Sequence, residues 1–113
     1  MQVPNGGSHR VGRLPARLAL DHITVVDATP LQLADAAFQA GFAAICPFLH
    51  SLDVMSAMPA YDMVTDLALR ARFIEQLETL NLQVDVAYPF TLSKRTIVSE
   101  FKETLACAKE VKA

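Results

Sequence analysis

Leu18-Ala-Leu-Asp-His-Ile-Thr-Val-Val26 leads through Asp27-Ala-Thr29-Pro30 into an amphipathic run ending at Gly41, and Phe42-Ala-Ala-Ile-Cys-Pro-Phe-Leu49 follows. The order reads strand, helix, strand. The first run is β-rich, and its alternation places Ile23 and Val25 on one face and His22 and Thr24 on the other. Thr29 suits an N-cap, and Pro30 suits the first helical position, where a missing N–H costs nothing. Leu31, Ala34 and Phe38 form the apolar stripe of the helix, with Leu33 and Ala37 beside it. Gly41 is placed to close it in the left-handed conformation. Two strands joined by one helix make a right-handed βα crossover with parallel strands.

In the second strand, Ile45, Pro47 and Leu49 share one face, and Cys46, Phe48 and His50 the other. Pro47 cannot donate to a ladder, so pairing should loosen there. Ser51–Val64 has no clear period and carries Met55, Met58 and Met63 with Pro59 and Tyr61. It reads either as a functional loop or as a loop packed on the core by flexible methionines. Thr65-Asp66 then caps a second helix with Leu69, Phe73, Leu77 and Leu80 on one face and Asn81 at its end. Gln83–Pro89 is the third strand, with Val84 and Val86 on one face and Asp85 and Ala87 on the other. A last helix covers roughly Thr96–Ala113, with Val98, Phe101, Leu105 and Ala108 as its buried stripe.

The whole chain has 113 residues, enough for one domain with one core. Its net charge of −2 offers no basic field for a phosphate backbone, which argues against nucleic-acid binding. No apolar run approaches the roughly 20 residues of a membrane span, and a cytoplasmic protein is expected. Met1–Arg17 carries Arg10, Arg13 and Arg17 without an apolar segment, so it is not a secretory signal. It reads as a disordered leader; a transit peptide, or vector-derived residues around Gly6-Gly7-Ser8-His9, are the alternatives. Cys46 and Cys107 lie far apart, one in a strand and one in a helix, and read as free thiols.

Ala37-Phe-Gln-Ala-Gly41-Phe42 before an apolar strand, Arg72-Phe-Ile-Glu75 in a helix ending Leu80-Asn-Leu82, and then Val84-Asp-Val86 resemble the start of a sugar phosphate isomerase/epimerase. These proteins are xylose isomerase-like TIM barrels, and the resemblance spans Leu18–Val111. It implies a (β/α)₈ barrel, typically of about 250 residues. The expected fold class is therefore α/β: a partial TIM barrel, its first three βα units with parallel strands and helices on one face, in residues 18–113. The family implies a ketose or sugar phosphate substrate and a divalent metal (Mn, Mg, Co or Zn). The metal's acidic and His ligands come mostly from strands of the second half of the barrel. None of those strands is in this chain, so no metal ligand is assigned, and this chain alone is expected to bind no metal and to be inactive. Many relatives carry polar lumen residues where this chain has Phe48 and Ala87.

No P-loop, G-x-G-x-x-G, G-x-S-x-G or H-E-x-x-H motif occurs. Polar residues near strand ends remain as candidates for substrate contact, because barrel sites form there. His50 could bind a hydroxyl or exchange a proton, or be an exposed loop histidine. His22 points into a lumen or is a hydrogen-bonded structural histidine. Asp85 in an apolar strand needs a partner or water. Tyr88 could stack on a sugar face or be a core tyrosine. Two rivals stand beside the barrel. One is a complete small α/β binding domain with helices on both faces of its sheet. The other keeps the barrel but makes it an endonuclease-like phosphodiesterase, disfavoured by the low basic charge. Unpaired sheet edges predict self-association in either α/β reading.

Overall fold

The computed structural model describes residues 18–89 and 101–112. The leader read over residues 1–17, Val98 and the other residues before 101 read as part of the last helix lie outside the described residues. The chain runs β1 (Ala19–Asp21), a 3₁₀ turn (His22–Val25), α1 (Pro30–Ala40), β2 (Ala44–Cys46), α2 (Leu67–Leu80), β3 (Gln83–Val84) and α3 (Phe101–Glu110). The protein is mixed α/β. Its strands form one parallel sheet in the order β1-β2-β3.

The first strand is shorter than its composition suggests. Asp21 accepts the Ile23 N–H at 3.0 Å, and the Thr24 hydroxyl donates to the Asp21 carbonyl at 2.7 Å. These local bonds draw Ile23-Thr-Val25 into a 3₁₀ turn despite their β propensity. The alternation read over this stretch is thereby corrected: Ile23 is 46% exposed, and Val25 packs against the core from a turn.

α1 has both halves of a capping box. Thr29 Oγ1 accepts from Gln32 N at 3.2 Å, and Gln32 Oε1 accepts from Thr29 N at 2.9 Å. Gly41 closes the helix at φ 90°, with Phe42 N donating to Ala37 O. A Cβ at that φ crowds the neighbouring carbonyl. Gly41→Ala should therefore cost about 1–2 kcal/mol, read from the urea midpoint at unchanged slope. The buried face is Leu33, Ala34 and Ala37, while Leu31 and Phe38 are half-buried, so the helix is rotated slightly from the expected stripe.

β2 stops at Cys46, where Pro47 interrupts the ladder. Pairing resumes as an isolated parallel bridge, Phe48 to Tyr88, with Tyr88 N donating to Pro47 O and Leu49 N to Tyr88 O. The methionine-rich stretch is a closed loop. Its ends meet at an antiparallel His50–Asp62 bridge, and Ser51 and Tyr61 exchange three hydrogen bonds. Met58 and Met63 are buried, which matches the loop-packing reading.

Asp66 caps α2 by accepting Leu69 N, and Asn81 ends it at φ 54°. Leu69, Phe73 and Leu77 are its buried face. Two later stripes need correction. The backbone bends at Asp85, so the inward residues after Val84 shift phase: Ala87 is buried, and Val86 is 54% exposed. In α3 the buried residue is Cys107, Val111 just past its end is buried too, and Leu105 is 57% exposed. Tertiary ties set that rotation: Cys107 Sγ lies 3.6 Å from Met63 O, and Glu110 pairs with Arg70 of α2.

Leu20, Ile45 and Val84 are register partners across the sheet. Ile45 and Val84 join Leu33, Ala34, Ala37, Phe73, Leu77, Cys107 and Val111 in one core, and Leu20 packs on it. All three helices thus share one core with the sheet. No helix among the described residues is long and apolar enough to cross a membrane.

Candidate functional site

Residues one step from the core-facing set point the other way. In β1 and β2 these are the register partners Asp21 and Cys46, at the carboxyl ends of the strands. Asp85 follows β3 directly; its N–H donates to Ile45 O at 2.9 Å, and its side chain is exposed. Asp21 and Asp85 both act electrostatically on the Cys46 thiol. Burial pushes that thiol up, against a lowering by the Val86 N–H.

Tyr88 reaches across to this end of the sheet. Its hydroxyl donates to Asp21 Oδ1, the same oxygen that takes the Ile23 N–H. Burial first, and the Asp21 carboxylate second, push the phenol well above its usual range, so it stays a donor at neutral pH. The Tyr88 ring packs edge-on against Phe48, with centroids 4.3 Å apart.

His22 lies behind this pair. Phe48 N donates to Nδ1 at 3.0 Å, and Nε2 bonds the Ala28 carbonyl at 2.8 Å. A carbonyl only accepts, so Nε2 carries the proton and the ring is neutral. The imidazole stacks with Phe48 (ring centroids 5.3 Å apart) and with Tyr61 (6.1 Å). The Tyr61 hydroxyl donates to Phe48 O at 2.9 Å, and burial pushes its pKa up. Among the expected contact residues, His22 and Tyr88 thus meet through Phe48 and Asp21. His22 has both nitrogens occupied and no accessible surface, as a structural histidine does.

His50 is half-buried, and its Nδ1 bonds Ser51 O at 3.0 Å within the loop. Among the described residues, His50 and Asp85 hydrogen-bond neither each other nor His22 and Tyr88. Asp21 and Tyr61 belong to the site, yet neither was named as a contact residue from sequence. The signal for Asp21 was an acid inside Leu20-Asp-His22; taking the strand on to Val26 hid that Asp21 is its last residue.

The carboxylate of Asp21, the exposed carboxylate of Asp85 and the Tyr88 phenol can bond hydroxyl groups, beside an aromatic edge that can take an apolar ring face. Among the described residues, no group of three or more His, Cys, Asp and Glu side chains could hold a metal ion. A scan against protein-family models and searches of curated proteins and solved structures gave no match to this chain.

Proposed function

We propose that this chain forms one wall of a xylose isomerase-like TIM barrel of sugar phosphate isomerase/epimerase type. That wall supplies hydroxyl contacts to a ketose or sugar phosphate without turning it over alone. The observation that carries this reading is the placement of Asp21 and Asp85. They lie at the carboxyl ends of β1 and β3, the strands on either side of β2 in the parallel sheet, out of phase with the core residues Ile45 and Val84, and Tyr88 bonds Asp21. Barrel enzymes collect substrate contacts at that end. The shared core of α1, α2 and α3 supports the same reading, because a doubly wound domain divides its helices between two faces.

The described acids do not gather into a ligand set, so a divalent metal does not fit these residues. The chain's own part is hydrogen bonding and orientation. Asp21, already holding Tyr88 and Ile23 N–H, accepts from a substrate hydroxyl through its remaining lone pairs, and Asp85 accepts from a second. Among the described residues the outer edges of β1 and β3 are unpaired, and such edges favour association with further strands, from another copy or from a longer barrel.

The test is a nitrogen–proton correlation titration of the purified chain with a ketose and its phosphate ester, alongside an isomerisation assay with and without a chelator. Shifts confined to residues 20–23, 46–48 and 85–89, weakened by Asp21→Asn, are expected, with no turnover. Shifts elsewhere or none would overturn the reading, and so would turnover abolished by chelation.

A further inference from the structure

We propose that His22 is an acid-operated latch that ties the turn before α1 to the end of β2. On taking up a proton, it releases the carboxyl end of the sheet. The geometry uses the imidazole as a two-ended strap. Nε2–H holds Ala28 O, one residue before the N-cap Thr29, and Nδ1 holds Phe48 N–H, one residue past Pro47. Phe48 has lost regular pairing at Pro47 and is retained by this bond, the bridge to Tyr88 and the Tyr61 hydroxyl on its carbonyl.

A proton can enter only at Nδ1, because Nε2 already carries one. The new N–H would face the Phe48 N–H, donor against donor. It could turn to Tyr61 Oη, 3.4 Å away, but the Phe48 N–H would then be orphaned in the interior. The groups facing the ring are Asp21 from β1, the Phe48 ring from the end of β2 and the Tyr61 phenol from the closed loop; Tyr88 stands behind Phe48. Asp21 and the Ala28 carbonyl favour the charged ring, and aromatic faces attract a cation. Burial outweighs them and holds the ring below its ordinary pKa.

The sign follows. Above about pH 6.5 the ring is neutral folded or unfolded, and the latch contributes fully. As pH falls from there toward the depressed folded pKa, the open form binds a proton that the closed form does not. Opening then gains about tenfold per pH unit.

Hydrogen exchange of the full chain, normalised for intrinsic rates, reads this directly at about pH 7.5 and 5.5. Residues 21–29 and 46–52 should lose protection, by up to about tenfold, relative to 67–80 at the lower pH. His22→Asn keeps an acceptor for Phe48 N–H but cannot titrate, and should abolish the difference; His50→Asn should preserve it. An unchanged ratio in the wild type, or its loss in His50→Asn, would overturn the latch. If His22→Asn does not fold, a wild-type nitrogen spectrum of the imidazole decides. Nδ1 protonation should coincide with opening, and a ring doubly protonated while closed would overturn the proposal. No sugar enters this test, so its outcome is independent of the proposed function.

Discussion

Phe73→Ala should lower the unfolding free energy by about 3–5 kcal/mol, the largest loss expected from a single side chain here. Phe73 has no accessible surface and sits midway along α2, between Leu69 and Leu77. The core it belongs to draws on all three helices and two strands: Leu33, Ala34 and Ala37 of α1, Ile45 of β2, Val84 of β3 and Cys107 of α3, with Val111 just past the end of α3. A hole there cannot be closed by moving one element, because α1 offers alanines and the sheet is only two or three residues deep. Small domains are stable by about 5–15 kcal/mol in total, so the variant should be largely unfolded well below the parent's denaturant midpoint. Circular dichroism in urea measures it. A loss under about 1 kcal/mol would mean that the shared core does not hold the chain together. Leu80→Ala, at a half-buried position of the same helix, is the control and should cost less.

Arg70→Ala should cost about 2–3 kcal/mol, while Glu110→Gln should cost under about 1. The pair looks like an interhelical salt bridge, but the partners differ: the Arg70 side chain is 11% exposed and Glu110 is 59% exposed. The exposed carboxylate is solvated either way, so the ion pair itself is worth little. Arg70 does more than pair. Nε donates to Met63 O at 2.9 Å and Nη2 to Val64 O at 2.7 Å, which fastens the end of the closed loop to α2. Removing the guanidinium strips Met63 O of its Nε–H donor and Val64 O of its Nη2–H donor, and loses the packed stem. Arg70→Lys keeps the charge but not the fork and should recover little. Equal costs for Arg70→Ala and Glu110→Gln in urea unfolding would show that the ion pair, not the carbonyl clamp, is what matters.

Both predictions concern ties between elements, and those were the features the sequence showed least. The elements themselves were legible where the signal is local. Thr29-Pro30 with Gln32, Asp66 before Leu69, Gly41 and Asn81 mark helix ends through bonds reaching three or four residues, so the chain carries them within one short window. The break at Pro47 was equally local, since a missing N–H is a property of one residue. Ile45 and Cys46 fall on opposite faces, as do Val84 and Asp85, because alternation holds within the residues of true strand; Ile45 and Val84 are the core-facing pair.

Longer-range phase was not legible. A strand reading over Leu18–Val26 fails after Asp21, whose carboxylate takes the N–H of Ile23 two residues on and starts a turn in place of further pairing. The bend at Asp85 then turns Val86 out and Ala87 in, and alternation carries no information across a bend. The rotation of α3 is set by Met63 and Arg70, about 40 residues away, and so its apolar Leu105 stays wet while Cys107 is buried.

The candidate site divides in the same way. By itself the sequence determined the α/β alternation, the helix ends, the break in β2 and the presence of His22, Asp85 and Tyr88 near strand ends. Tertiary structure alone decided that the Tyr88 hydroxyl lands on Asp21, that His22 is consumed by Ala28 and Phe48, and that Tyr61 closes over it. The physical reason is reach. A cap or a proline acts on its own neighbours, whereas a side chain's partner 26 or 67 residues away is chosen by how the packed elements bring two backbones together.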